Sequence, residues 1–105
     1  MDVDAIYEKL RVAGEDYADK EAAASILEET KKTLLAQLKT MSKAGSDAAR
    51  ETEAMASTGF TEHVNSMVEA RRMANRAKVK YDSMKVWVEL KRTEAANERA
   101  AMNLR

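Results

Sequence analysis

The chain has 105 residues, with 18 basic and 18 acidic side chains, three Gly, and neither Cys nor Pro. These totals describe one small domain, residues 1–105, with much charged surface and a thin core. They exclude disulfides and thiolate metal sites, and a net charge of zero removes any whole-molecule pull toward nucleic acid or membrane.

Helix is the expected conformation throughout, because strong helix formers dominate and no Pro forces a kink. A first helix is predicted over about residues 4–13, with Asp2 and Asp4 favourable at its N-terminus and Gly14 as its stop. Gly14 could instead be carried inside one continuous helix at a cost of about 1 kcal/mol, and the reading adopts a break or bend. A second helix follows over about 16–43, with an apolar stripe of Ala23, Leu27, Thr30, Leu34, Leu38 and Met41, thickened by Ile26 and Leu35. Ala44-Gly45-Ser46-Asp47 is a stop and restart, in which Gly45 suits a left-handed position and Ser46 an N-cap. A short helix over about 47–56 ends at Ser57-Thr58-Gly59, and Thr61 is expected to cap a last helix over about 61–103, roughly 65 Å long.

That last helix carries the clearest pattern in the chain. Steps of three and four visit Phe60, His63, Met67, Ala70, Ala74, Ala77, Tyr81, Met84, Val88, Lys91, Ala95, Glu98 and Met102, and ten of these thirteen positions are apolar. A solvated helix would not sustain such a run, so it reads as a coiled-coil seam. Ala70, Ala74 and Ala77 allow a partner backbone to approach closely. Lys91 and Glu98 either set register or mark where the seam frays. The fold class expected is all-α, an elongated antiparallel helical hairpin with a short linking helix. The second helix is shorter than the last, so part of the seam lacks a partner unless the first helix continues the cover. A thin hairpin of this size suggests association into a dimer or higher homo-oligomer.

Beside the seam runs a row of positive charge with the same period: Arg71, Lys78, Lys85, Arg92 and Arg99. The charge split behind it is strong. Residues 1–30 hold nine acids and three bases, whereas residues 71–92 hold eight bases and two acids. Self-pairing along the hairpin is one explanation, pairing with another subunit a second. The acids Asp19, Glu21, Glu28 and Glu29 do not form a row beside the stripe assigned to the second helix, which leaves part of the basic row for a protein partner or a nucleic-acid backbone. Tyr81 and Trp87 sit within the basic stretch and could stack bases, though both also read as packing residues.

Catalytic chemistry is not expected. His63 is the only histidine and lies on the seam, and no Glu-x-x-His pair exists to build a di-iron site. Zinc would have to rely almost wholly on carboxylates. Glu28-Glu29 and Glu51-Thr52-Glu53 read as solvated faces, and the glycines form no phosphate-cradling loop. The expectation is a protein without enzymatic activity and without cofactors. No apolar run approaches the roughly 20 residues of a membrane span, and the acidic start is unlike a signal peptide, so the expected location is the cytoplasm, with no membrane partner.

Ser46-Asp47-Ala48-Ala49-Arg50-Glu51 with Ala54-Met55-Ala56-Ser57, followed by a long helix closing on Val86-Trp87-Val88-Glu89-Leu90-Lys91-Arg92 and Asn97-Glu98-Arg99, resembles a group of small phage and prophage proteins. That group has an Ala-Arg-Glu…Ala-x-Ser segment in the linker and a Trp-containing basic stretch near the end. In it an Arg directly follows the Trp, whereas here Val88 follows Trp87. Such proteins tend to be encoded near recombination and single-strand-binding functions, and the resemblance covers residues 20–104. It implies a phage context, the host-cell cytoplasm, and an accessory role with no catalytic residues to carry over. Secreted type-VII helical hairpins share the length and build, but their turn carries Trp-x-Gly, where this chain has Ala44-Gly45-Ser46. The leading expectation is a non-enzymatic interaction protein binding a host or phage protein of DNA metabolism. A single-strand DNA-binding accessory and a purely structural or assembly component are the alternatives. Candidate contact residues are Arg71, Lys78, Lys85, Arg92, Arg99 and Trp87. The candidate packing seam is Phe60, Met67, Ala70, Ala74, Ala77, Tyr81, Met84 and Val88.

Overall fold

A computed structural model describes residues 2–104, and these form three helices and no strand: α1 (Val3–Met41), α2 (Asp47–Met55) and α3 (Thr58–Asn103). α1 and α3 run antiparallel along a rod with extents of 86 × 19 × 15 Å, and α2 is the short linking helix at one end.

Each helix begins on a side chain that accepts from an otherwise orphaned backbone amide. Asp2 Oδ1 accepts from Asp4 N at 3.1 Å, Ser46 Oγ from Ala49 N at 3.1 Å, and Ser57 Oγ from Phe60 N at 3.2 Å. The expected cap at Ser46 is therefore present. Thr61 is not the cap of the last helix, because Ser57 takes that role and α3 starts three residues earlier, with Gly59 inside its first turn. The linker is held by Lys39–Asp47 at 3.0 Å, by Ser42 Oγ donating to Glu53 at 2.9 Å and by Arg50 donating to the Ala44 carbonyl at 2.9 Å. Gly45 is not left-handed, since no glycine among the described residues has a positive φ.

The helices expected at 4–13 and 16–43 are one helix. α1 passes through Gly14 without interruption, and the Tyr81 ring of α3 lies against that glycine. Gly14 is thus a site of close approach between helices, where a larger residue would crowd the Tyr81 ring. Continuous through Gly14, α1 supplies the cover for α3 that a shorter second helix would have lacked.

The α3 seam is packed against α1 from Phe60 to Val88. Phe60, Ala74, Ala77 and Val88 are buried, and His63, Met67, Ala70, Tyr81 and Met84 are half-buried. From Glu89 to Leu104 every residue is exposed; Lys91, Ala95 and Glu98 border a groove with Val3, Ile6 and Tyr7 of α1 without being buried, and Met102 continues the spacing beyond it. The helix itself does not fray there; it runs on to Asn103 past the start of α1.

On α1 the packed stripe is Ala13, Tyr17, Ala24, Leu27, Leu34 and Leu38, with Leu35 at its edge. Ala23, Ile26, Thr30 and Met41, all expected on the stripe, are exposed. Ala22, Ala23 and Ala24 are identical side chains in succession, so hydrophobicity cannot choose among them; the fit against α3 does, and it buries Ala24 completely. The core is thin: among the described residues, five of the seven buried apolar side chains are alanines, and no large side chain is fully buried.

Candidate interaction faces

The seam divides the hairpin into two broad flanks. Residues that follow the second member of each three–four step lie on one flank, and residues that precede the first member lie on the other. Arg71 follows Ala70 and so belongs to the first flank, with Lys78, Lys85, Arg92 and Arg99. Glu21 and Glu28, seven residues apart on α1, occupy the matching flank of their own helix.

This juxtaposition makes Arg71 the centre of an ion-pair cluster. Its Nη1 donates to Glu21 at 2.5 Å, while Nη2 and Nε donate to the two oxygens of Glu28 at 2.6 and 3.0 Å. The guanidinium hydrogen bonds hold the Glu28 carboxyl below the ordinary carboxylate range, against a smaller opposing effect of desolvation. Reciprocally, Glu28 and then Glu21 hold the Arg71 proton more tightly than usual. Two acids of α1, Glu21 and Glu28, therefore do line up beside its packed stripe, as partners for Arg71 alone among the row. Their alignment becomes visible once the stripe runs through Ala24 and Leu27 instead of Ala23.

The remaining four cations are placed differently. Lys85 pairs with Asp82 at 3.1 Å and Arg92 with Glu89 at 3.0 Å, each three residues back on α3 and each half or more exposed. Lys78 and Arg99 have no ion pair among the described residues, and both are exposed. The row is thus continuous along one flank, but only its first member is tied to α1.

Neither aromatic joins the row as a stacking platform. Tyr81 packs against Gly14 and Tyr17, with ring centroids 6.3 Å apart, and Lys85 Nζ covers its ring at 4.6 Å from the centroid. Trp87 precedes Val88 and so lies on the opposite flank from Lys85 and Arg92. It is half-buried, with Lys91 Nζ 6.0 Å from its ring centroid.

That opposite flank is the feature the sequence reading missed. It carries Ala23 and Ile26 from α1 and Met73 from α3, with Val12 beside Glu8, Lys9, Asp16, Lys80 and Met84 along a shallow cleft, and Trp87 and Leu90 further on, so it mixes apolar and charged side chains. The signal was present in the spacing of Ala23 with Ile26 and of Trp87 with Leu90, each three apart. It was masked because Ala23 and Ile26 had been assigned to the internal stripe.

His63 closes the seam near the linker. Its Nε2 lies 2.8 Å from the Leu27 carbonyl, which can only accept, so Nε2 carries the proton and donates. This spends the lone imidazole on tying α3 to α1. Among the described residues no group of three or more His, Cys, Asp or Glu is placed to hold a metal ion, and no helix is long and apolar enough to cross a membrane. Comparison with protein families, with characterised proteins and with solved structures gives no match.

Proposed function

We propose that this protein is a non-enzymatic interaction protein that self-associates and offers the basic flank of α3 to an acidic surface on another protein, one of host or phage DNA metabolism. The observation that carries the reading is the unequal use of the row. Arg71 is bound by Glu21 and Glu28, whereas Lys78, Lys85, Arg92 and Arg99 stand exposed, with no ion pair to α1 among the described residues, along roughly 30 Å of one helix. A rigid line of cations at heptad spacing suits a partner that also presents periodic charge, such as an acidic helix. The phage context rests on the resemblance of the Ser46–Ser57 and Val86–Arg99 segments.

Single-strand DNA is the competing ligand, since phosphates would satisfy the same cations. The placement of the aromatics weighs against it: Tyr81 is packed inside the hairpin and Trp87 faces the other way, so the row lacks the stacking surface that single-strand binders use. The test is affinity capture from host lysate, with and without nuclease, comparing the wild type with Lys78→Glu/Arg99→Glu. A partner that survives nuclease and is lost with the variant supports the reading. A partner lost on nuclease treatment, or kept by the variant, overturns it.

A further inference from the structure

We infer that the outward face of α3 between Val68 and Val79 is the seat for an acidic amphipathic helix of another protein, held by Arg72 and Arg76. The inference rests on the acidic-partner reading above and names where on α3 that partner docks.

The face lies opposite the seam. At a seven-residue spacing, Arg71 and Lys78 run along one edge of it and Arg76 along the other, with Val68, Arg72, Asn75 and Val79 between them. Val68, Arg71, Arg72, Asn75, Arg76 and Val79 together line a shallow, open groove, and no acid lines it among the described residues. Residues 70–81 hold five bases and no acid, so the surrounding field is positive as well.

The three arginines are satisfied unequally. Arg71 is engaged by Glu21 and Glu28. Arg72 reaches Glu69 at 3.4 Å, with both side chains more than half exposed, and Arg76 has no ion pair among the described residues. Arg72 and Arg76 stand four residues apart, a spacing at which like charges on a helix repel. An exposed valine by itself is ordinary. Here Val68 is 59% and Val79 66% exposed, one a turn before Arg72 and the other a turn after Arg76. Apolar, cationic, cationic and apolar side chains thus follow one another along roughly 16 Å of helix.

That order selects the occupant. A phosphate chain would meet both guanidiniums and leave both valines in water. A neutral apolar helix would cover the valines and strip water from the guanidiniums without replacing it, which is costly. A helix with two carboxylates between two apolar side chains meets all four groups, because guanidinium and carboxylate pair by two parallel hydrogen bonds while the apolar residues cover the valines.

The test is fluorescence anisotropy of the full chain with a labelled helical peptide that carries two leucines at the spacing of Val68 and Val79 and two glutamates between them. A twin peptide with glutamine for glutamate and an unstructured oligonucleotide are titrated beside it. The glutamate peptide is expected to bind, and the glutamine twin to bind about tenfold more weakly or worse. Arg72→Glu/Arg76→Glu should lower the affinity for the glutamate peptide by about tenfold or more, and Val68→Ser/Val79→Ser by about fivefold or more. Circular dichroism should be unchanged in both, since all four side chains are exposed. No binding of the glutamate peptide, or binding indifferent to either double variant, would overturn the inference. The wider reading of the basic row is tested separately by capture with Lys78→Glu/Arg99→Glu, which leaves these four residues intact. Tighter binding of the oligonucleotide, lost with the arginines and kept without the valines, would give the groove to phosphates and overturn the inference. A wild-type oligomer that dissociates on Arg72→Glu/Arg76→Glu in sedimentation equilibrium would give the groove to a second copy and overturn it likewise.

Discussion

The Tyr81 ring lies across Gly14: a methyl group placed on that glycine would stand 3.1 Å from Tyr81 Cε1 and 3.2 Å from Cζ. The ring has little freedom to retreat, with Tyr17 on one side and Lys85 over it. A glycine inside a helix ordinarily costs about 1 kcal/mol relative to alanine, and here the crowding offsets that gain. Gly14→Ala should therefore change stability by less than about 0.5 kcal/mol in the wild type. In a Tyr81→Ala background the same substitution should stabilise by about 1 kcal/mol, because only the propensity remains. Urea unfolding of the four proteins measures the coupling. A full stabilisation by Gly14→Ala with Tyr81 present would show that the ring gives way freely.

On the packed faces of α1 and α3, Ala24 and Ala74 are both fully buried. Ala74→Leu has nowhere to put its extra carbons without forcing the backbones apart, and should destabilise by about 1–3 kcal/mol. Val79→Leu, on the open face of α3, should stay within about 0.5 kcal/mol of the wild type. Equal effects at the two positions would place the packed seam elsewhere.

These two sites also mark what could be read from residues alone. The α3 seam was legible from Phe60 to Val88 because Phe, Met, Tyr and Val alternate with charged residues at a fixed spacing. The α1 stripe was not, because alanine is nearly neutral between inside and outside, and Ala22-Ala23-Ala24 gives every register the same score. That one-residue error hid the pairing of Glu21 and Glu28 with Arg71, and it hid the second apolar flank. Gly14 was read as punctuation because local propensity sees its cost and not the Tyr81 ring that makes a small residue useful. The basic row was legible as a row. Its division into one tethered and four untethered members was not, since that depends on what α1 places opposite.

The Arg71 cluster should appear in the acid limb of stability. Its guanidinium lowers the Glu28 pKa in the folded chain, so the stabilisation is fully present above the ordinary carboxylate range of about 4.3 and is lost as pH falls through the depressed folded value. Arg71→Gln should lower Tm at neutral pH, and the gap to the wild type should close as pH is taken from about 5 toward 3. Thermal melts across that range check it. A gap independent of pH would mean that Arg71 acts through packing of its alkyl stem and not through Glu28.

Beyond Val88 no described residue of α3 is buried. Short helices without a packed face are marginal in water, so this tail should open far more often than the hairpin. Amides of residues 97–103 should exchange with solvent at least about a hundredfold faster than those of 67–88, a difference of about 2.7 kcal/mol or more in opening free energy. Ending the chain after Ala95 should leave stability within about 0.5 kcal/mol of the full chain. A substantial loss on truncation would show that the tail is covered.

The basic row separates the classes of partner. If Lys78, Lys85, Arg92 and Arg99 face an acidic protein, reversing Lys78 and Arg99 should abolish capture of that partner while leaving helicity unchanged, because both residues are exposed and neither has an ion pair among the described residues. The isolated protein should then show no measurable affinity for an unstructured oligonucleotide at physiological salt, since its net charge is zero and its aromatics are turned away from the row. If the cations instead track phosphates, binding should be tight and salt-sensitive. Reversing two of them should then lower the salt slope by about 0.7 per lost contact, the value for a single strand. An electrophoretic or anisotropy titration of wild type and variant decides between these outcomes. Submicromolar, salt-dependent binding by the wild type, weakened by the reversals, would move the assignment to a single-strand DNA accessory protein.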